Sequence, residues 1–209
     1  GFVTMHVDRK EDRIYFELST FGQELLYATA QASGLGSNPI GLDRGSLGPQ
    51  HVIEFRRAGK KVLVMAKNLR FRALSDNPRE RLAVAESFAP SVIASLPVKA
   101  ETGNSVVVDA TGFVVRDATN AGPRLGGDKA SYKVDKDRSA LWLERTKSFP
   151  DNSEVEVLLT FASSKPNREV TRAANGKAVS LRQHHSFIRL PDDEYKPRHF
   201  DPRVGYFGP

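Results

Sequence analysis

The stretch HVIEFRRAGKKVLVMAKNLRFRAL (residues 51–74) indicates the fold of this chain most directly. Two runs rich in Val, Ile and Leu flank Ala58-Gly59, and a glycine between two such runs is typical of a β-hairpin. The basic residues of FRRAGKK (55–61) are then expected at the turn, exposed to water. The stretch therefore predicts two antiparallel strands.

The same signal recurs on both sides of this hairpin. In RIYFEL (13–18), Ile14, Phe16 and Leu18 recur at every second position, which is the pattern of a half-buried strand. The segments at 24–33 and 177–191 are expected to form further strands. The segments at 138–152 and 153–164 are expected to be neighbouring strands joined by a turn at Pro150-Asp151-Asn152.

Between the strands, the sequence predicts long loops and few helices. Residues 34–49 and 164–177 are rich in Gly, Pro, Asn and Ser and are expected to be loops, and residues 123–131 a turn. One helix is predicted to begin at Pro78, with Asp76 or Asn77 as its N-cap. Two further expectations concern helices. Leu82, Ala85, Phe88 and Ala89 would share one face of this helix, and Asp109 or Thr111 would cap a short second helix.

The whole chain is therefore predicted to be a β-dominated α+β protein. We expect mostly antiparallel sheet, with one or two short helices. With 209 residues, 39% of them hydrophobic and 27% charged, the composition is that of a globular protein. No apolar run approaches the length of a membrane span, and the first residues lead directly into charged sequence rather than into a signal peptide.

The charge and the cysteine content limit the kinds of function that this chain can have. The formal net charge is +6, but the 31 Lys and Arg are interleaved with 25 Asp and Glu, so we do not expect a nucleic-acid-binding face. The chain contains no cysteine, which excludes disulfides and thiolate chemistry.

No residue pattern predicts a catalytic or metal site. His6, His51 and His199 are isolated, and His184 and His185, being adjacent on a predicted strand, are expected on opposite faces of the sheet. Neither a His-Glu-x-x-His motif nor a nucleophile elbow nor a phosphate-binding loop occurs. The acidic pairs Asp192-Asp193 and Asp135/Asp137 supply too few ligands for calcium. We therefore assign no catalytic residue and no metal ligand.

Several motifs nevertheless resemble a known family. YKVDKDRSALWLERTKSFPDNSEVEVLLTF (132–161) and HHSFIRLPDDEYKPRHFDPRVGYF (184–207) are similar to a bacterial domain of unknown function that precedes a metzincin-like zinc metallopeptidase domain. RIYFEL, ESFAPSVIASLPV and VVVDATGFVVRD also look like this family, so that the resemblance covers nearly the whole chain. The matching motif residues are Asp135, Ser139, Phe149, Pro150, Asn152, Ser186, Leu190, Pro191, Pro197, Arg198 and Asp201 through Phe207.

The resemblance implies a domain organisation and a location. Residues 1–197 would form a single β-rich accessory domain, and residues 198–209 a connector toward a C-terminal catalytic domain. The parent protein would be a secreted or periplasmic bacterial peptidase. Its zinc would lie in the catalytic domain, with no cofactor in the chain described here.

The terminal run RHFDPRVGYF (198–207) supplies the candidate contacts between these two domains. Its Asp-Pro step favours a turn, its glycine permits unusual backbone angles, its arginines can form forked ion pairs and its aromatic rings offer apolar area. The candidate contact residues are Arg198, Asp201, Arg203, Gly205, Tyr206 and Phe207.

Two functions follow as hypotheses. The first is a non-catalytic N-terminal accessory domain that packs against the downstream metallopeptidase domain, to position substrate, restrain the active site or aid folding. The alternative is a free-standing basic module that binds anionic polymers or cell-envelope components, indicated by the net charge of +6 and the two long polar loops. A third hypothesis, that the chain is itself a hydrolase, has no motif in its favour.

Overall fold

A computed structural model describes residues 2–128, 130–192, 194–196 and 201–203. Eleven strands and four short helices account for the regular structure of this part of the chain. The strands are β1 (Thr4–Asp8), β2 (Arg13–Leu18), β3 (Glu24–Gln31), β4 (Leu47–Ala58), β5 (Lys61–Ala66), β6 (Ser91–Thr102), β7 (Ser105–Asp109), β8 (Lys133–Leu141), β9 (Lys147–Ser148), β10 (Asn152–Ala162) and β11 (Ala178–Arg189). The helices are α1 (Pro78–Ser87), α2 (Thr111–Val114), α3 (Ala121–Gly126) and α4 (Arg168–Ala173), and a 3-10 turn spans Leu143–Arg145.

All eleven strands belong to one antiparallel sheet. Its order is β1-β2-β7-β6-β5-β4-β3-β11-β10-β8, and β9 pairs with β10 beside β8. Register shifts interrupt four of the ladders, for example between Ala28 and Ala30 on β3. Since such irregularities bend a strand and increase its twist, they help the sheet to curl.

The curl brings the two ends of the sheet together. The backbone N–H of Phe2 donates to the carbonyl of Phe149 at 2.8 Å, and the N–H of Val3 donates to Ser153 Oγ at 2.9 Å. In the turn between β1 and β2, the Asp12 carboxylate accepts the N–H of Leu141, the last residue of β8, at 3.2 Å. Residues more than a hundred positions apart in sequence therefore join the first strands to the last ones.

The core fills the concave side of this sheet. Tyr27, Phe16, Phe113 and Phe187 meet there from four different elements, with ring centroids 5.1–6.1 Å apart. Helix α2 closes over them, and Phe113 and Val114 of this helix are buried. The alternation predicted for β2 is confirmed, because Ile14, Phe16 and Leu18 are all buried.

Several details of the sequence-based expectation are confirmed. The hairpin at Gly59 joins β4 to β5, although the second strand ends at Ala66 and not near residue 74. Helix α1 begins at Pro78, and the Asn77 side chain accepts the N–H of Arg79 as an N-cap. The β-dominated class is confirmed as well.

Other expectations are wrong. The described part of the chain has four short helices, not one or two, because α3 overlaps the segment expected to be a turn (123–131) and α4 lies within the expected loop at 164–177. Asn167 caps α4 by accepting the N–H of Glu169, and Val170 is buried, so that a cap and one apolar contact suffice for a helix of six residues. In the predicted strand at 138–152, regular pairing stops at Leu141 and a 3-10 turn follows Trp142.

Candidate functional site

The terminal residues predicted to form a joint between domains are only partly described. Arg203 makes a forked ion pair with Asp201, with distances of 3.0 Å from Nε and 2.7 Å from Nη2. The hydrogen bond from Arg203 lowers the pKa of the Asp201 carboxyl. Arg198, Gly205, Tyr206 and Phe207 lie outside the described residues, so the contact role of this run stays a prediction.

The two adjacent histidines face opposite sides of the sheet, as the sequence predicted. His185 is fully buried on the concave side, and His184 points to the convex side, where its Nε2 lies 2.6 Å from Glu154. The hydrogen bond to Glu154 raises the pKa of His184 above its usual value. No group of three or more His, Cys, Asp or Glu side chains that could hold a metal ion occurs within residues 2–128, 130–192, 194–196 and 201–203.

His185 belongs to a buried polar cluster. Its Nδ1 lies 2.8 Å from the Tyr27 hydroxyl, and Arg116 Nη2 donates to the same hydroxyl at 3.3 Å. Burial raises the pKa of Tyr27 to about 12 and lowers the pKa of His185 to about 3. The Nε2 atom of His185 has no hydrogen-bond partner. The backbone of Val114 acts to raise the pKa of His185, but this influence is smaller than that of burial, which lowers it.

A small cavity of about 130 Å³ adjoins this cluster, lined by Tyr27, Thr29, His51, Arg116 and Asp117, among others. Arg116 is held in place by a hydrogen bond from its Nε to the Phe113 carbonyl at 2.8 Å and lies 5.0 Å from the centre of the Phe113 ring. The hydroxyl of Tyr27, with its raised pKa, remains protonated at neutral pH. The cluster therefore links β3, β11 and the segment after α2 through hydrogen bonds beside the aromatic core.

The convex face carries a second network, on β10 and β11. Glu154 accepts hydrogen bonds from His184, Ser186 and Asn152. Burial, the largest single influence, acts to raise the pKa of Glu154, but these hydrogen bonds together outweigh it and lower the pKa. A carboxylate held in the ionised form by three donors is poorly suited to act as a general acid or base near neutral pH.

The most unusual surface lies between β5 and β6. This segment, residues 67–90, is called the β5–β6 connection here and contains α1. Large apolar side chains are exposed along it, namely Leu69 (57%), Phe71 (46%), Leu74 (87%) and Leu82 (56%). Phe71 stacks on Phe88 with ring centroids 4.1 Å apart. The expectation that Leu82, Ala85, Phe88 and Ala89 share one face of a helix is only partly met, because α1 ends at Ser87, so that Phe88 lies at its C-cap and Ala89 beyond it; no residue of α1 is buried.

The sequence patterns did not predict that the apolar side chains of this connection are exposed on the surface. The sequence patterns place Leu69 and Phe71 in a hairpin strand and Leu82 on one face of a helix. No local signal distinguishes this segment from a strand, because the alternation of apolar residues with arginines in LRFRAL (69–74) is also the pattern of a half-buried antiparallel strand. None of the helices in the described part of the chain is both long and apolar enough to cross a membrane.

Taken together, the fold and these surfaces define a β-dominated domain with one curled sheet, a buried Tyr-His-Arg cluster and an exposed apolar connection. Residues 45–209 match the domain of unknown function DUF5117, and the chain therefore belongs to that family. No curated protein and no solved structure matched the chain.

Proposed function

We propose that this chain is a non-catalytic accessory domain that packs, through its β5–β6 connection, against a zinc metallopeptidase domain of the same polypeptide. The observation that carries the proposal is the exposure of Leu69, Phe71, Leu74 and Leu82 within one segment. Clustered apolar side chains that remain in contact with water are typical of surfaces that are covered by a partner. The identity of the partner rests on the resemblance of the sequence to accessory domains of such peptidases.

The energetics of α1 support this interpretation. Helices shorter than about 12 residues are marginal in water unless they pack against something. Helix α1 has ten residues, buries none of them and depends on the Asn77 cap and Pro78 at its start. Contact with a second domain would supply the burial that this helix lacks here.

The accessory role has three forms: positioning of substrate, restraint of the active site and assistance in folding. Each requires a stable interface between the two domains, and none requires a reacting group in this chain. The zinc ion would reside in the peptidase domain, and the parent protein would act in the periplasm or outside the cell, as the resemblance implies.

Substitutions in the connection test this interface. Leu74→Ser and Leu82→Ser should each weaken association with the separately produced peptidase region about tenfold or more, because burying a leucine side chain contributes about 1.5–3 kcal/mol. Isothermal titration calorimetry would measure the affinities. Leu47→Ser is the matched control, because Leu47 is similarly exposed (69%) but lies outside the connection.

The expected result is a loss of affinity for both connection variants and unchanged affinity for Leu47→Ser. Equal affinities for all three variants would show that the connection is not the interface. If the peptidase region neither binds the unmodified domain nor changes in stability when it is present, the accessory-domain proposal itself fails.

A second prediction concerns catalysis. We expect the isolated chain to retain no zinc after mild dialysis and to cleave no peptides, because a catalytic zinc ion needs three protein ligands and an activated water. Metal analysis combined with a peptide-hydrolysis assay checks this. Stoichiometric zinc together with turnover that a chelator abolishes would show that the chain is a peptidase.

The alternative function, a module that binds anionic polymers, is supported by the net charge of +6. It predicts binding that weakens steeply as salt concentration rises. Absence of any affinity for polyanions at low ionic strength would remove this alternative.

A further inference from the structure

A pocket of about 600 Å³ lies on the convex side of the sheet, beside the C-terminal end of β3 and the middle of β11. Three separate elements contribute four cationic side chains to it. Arg44 comes from the loop before β4, Arg145 from the 3-10 turn, and Arg182 and His184 from β11. Its volume falls in the range of small-ligand sites, which is about 300–1,000 Å³.

Arg182 forms the fixed floor of the pocket. Its Nη1 lies 2.7 Å from Glu156 Oε1, and its guanidinium lies 5.2 Å from the centre of the Trp142 ring. Glu156 is 5% exposed, whereas the Arg182 side chain is 32% exposed, so the carboxylate of this ion pair is shielded from water and the guanidinium remains accessible. A guanidinium held by both an ion pair and an aromatic ring loses little further freedom when it binds a ligand.

Arg44 and Arg145, in contrast, are exposed and have no carboxylate within ion-pair distance in the described part of the chain. Three arginines and one glutamate in the lining leave two positive charges uncompensated. This excess matches the charge of a phosphate dianion better than that of a single carboxylate. Arginine forks also fit phosphate oxygens in a bidentate geometry.

The backbone around Arg44 is held close to the pocket by a glycine. A Cβ atom at Gly34 would lie 3.0 Å from the Leu42 carbonyl oxygen and 3.1 Å from the Arg44 nitrogen, which is closer than ordinary packing allows. The N–H groups of Ala32 and Ser33 donate to the Arg182 carbonyl at 2.8 and 3.3 Å. These contacts tie the loop that carries Arg44 to the strand that carries Arg182, so the backbone holds these two arginines on the same side of the pocket.

We propose that this pocket binds a phosphate group, either as the free anion or as the monoester end of a small ligand, through Arg44, Arg145 and Arg182. His184 adds a fourth cationic group when it is protonated, with Glu154 and Glu156 facing its ring. The site is formed by other elements than the β5–β6 connection and does not depend on the proposed packing against a peptidase domain.

Titration of the chain with inorganic phosphate, glycerol 3-phosphate and acetate tests the proposal, with calorimetry at constant low ionic strength as the measurement. Phosphate or glycerol 3-phosphate should bind, and acetate should bind at least tenfold more weakly. Tighter binding of the ester than of free phosphate would assign the site to a phosphomonoester ligand, and the reverse order would assign it to the free anion. Equal affinity for acetate and phosphate, or no binding of either phosphate compound, would overturn the proposal.

Matched variants locate the binding. Arg44→Gln and Arg145→Gln should each weaken phosphate binding about tenfold, because each removes a charge-assisted hydrogen bond. Both arginines are exposed, so the fold should be unaffected. Arg172→Gln is the control, since Arg172 is exposed on α4 and paired with Glu169 outside the pocket, and it should bind as the unmodified chain does. Unchanged affinity in the Arg44→Gln, Arg145→Gln double variant would contradict the assignment.

Discussion

Replacing Phe187 with alanine is expected to lower the free energy of unfolding by about 3–5 kcal/mol. Phe187 is fully buried on β11, and its ring lies 5.2 Å from the Phe16 ring, 5.2 Å from that of Tyr27 and 6.1 Å from that of Phe113. The substitution removes contacts to β2, β3 and α2 at once and leaves a cavity that a curled sheet cannot easily collapse. Urea unfolding monitored by circular dichroism would measure the loss.

Two further variants make this prediction decisive. Phe71→Ala, at a side chain that is 46% exposed, should change the stability of the isolated domain by less than about 1 kcal/mol. Phe187→Leu keeps most of the buried volume, so its free energy of unfolding should fall less than that of Phe187→Ala. This variant can therefore be measured even if the alanine variant fails to fold. Equal decreases in the free energy of unfolding for Phe187→Ala and Phe71→Ala would contradict the central position of Phe187 in the core.

Acidification should destabilise the domain through His185. Burial lowers the pKa of this ring to about 3, whereas an exposed histidine in the unfolded chain has a pKa of about 6.5. Between these two values the unfolded chain binds the additional proton, so the stability falls as the pH falls. The slope for one group is about 1.4 kcal/mol per pH unit, which gives a loss of about 2–3 kcal/mol between pH 6.5 and pH 4.5.

The neighbouring histidine provides the control. The folded pKa of His184 is raised by Glu154, so its contribution to stability is complete below pH 6.5 and is lost as the pH rises through the folded pKa. His185→Gln should therefore abolish most of the acid-dependent loss, while His184→Gln should retain it. Urea unfolding at a series of pH values gives these slopes, and an undiminished acid slope in His185→Gln would rule out His185 as the cause.

Local sequence patterns were sufficient for much of the secondary structure. The alternation of Ile14, Phe16 and Leu18 identified β2, and the glycine at 59 identified the hairpin of β4 and β5. The opposite orientation of His184 and His185 followed from strand geometry alone. These features depend on residues within a few positions of one another, so they are present in the sequence itself.

The candidate sites were much less predictable. Leu82 has the spacing of one helix face, yet no residue of α1 is buried. A periodic pattern records which residues share a face, but it does not contain the position of the surface against which that face would pack. The short helices α3 and α4 were missed because six residues give too little periodicity to be distinguished from a turn.

The sequence by itself determined that this chain forms an antiparallel, β-dominated domain, because strand formation and hairpin turns are decided by neighbouring residues. Only the tertiary structure decided that β3 pairs with β11 and that Arg44, Arg145 and Arg182 meet in one pocket. Leu25 and Arg189 are partners across this ladder, and the register between strands so far apart is selected by the packing of the whole core. No local pattern encodes that selection, since its free energy comes from contacts that exist only after the sheet has curled.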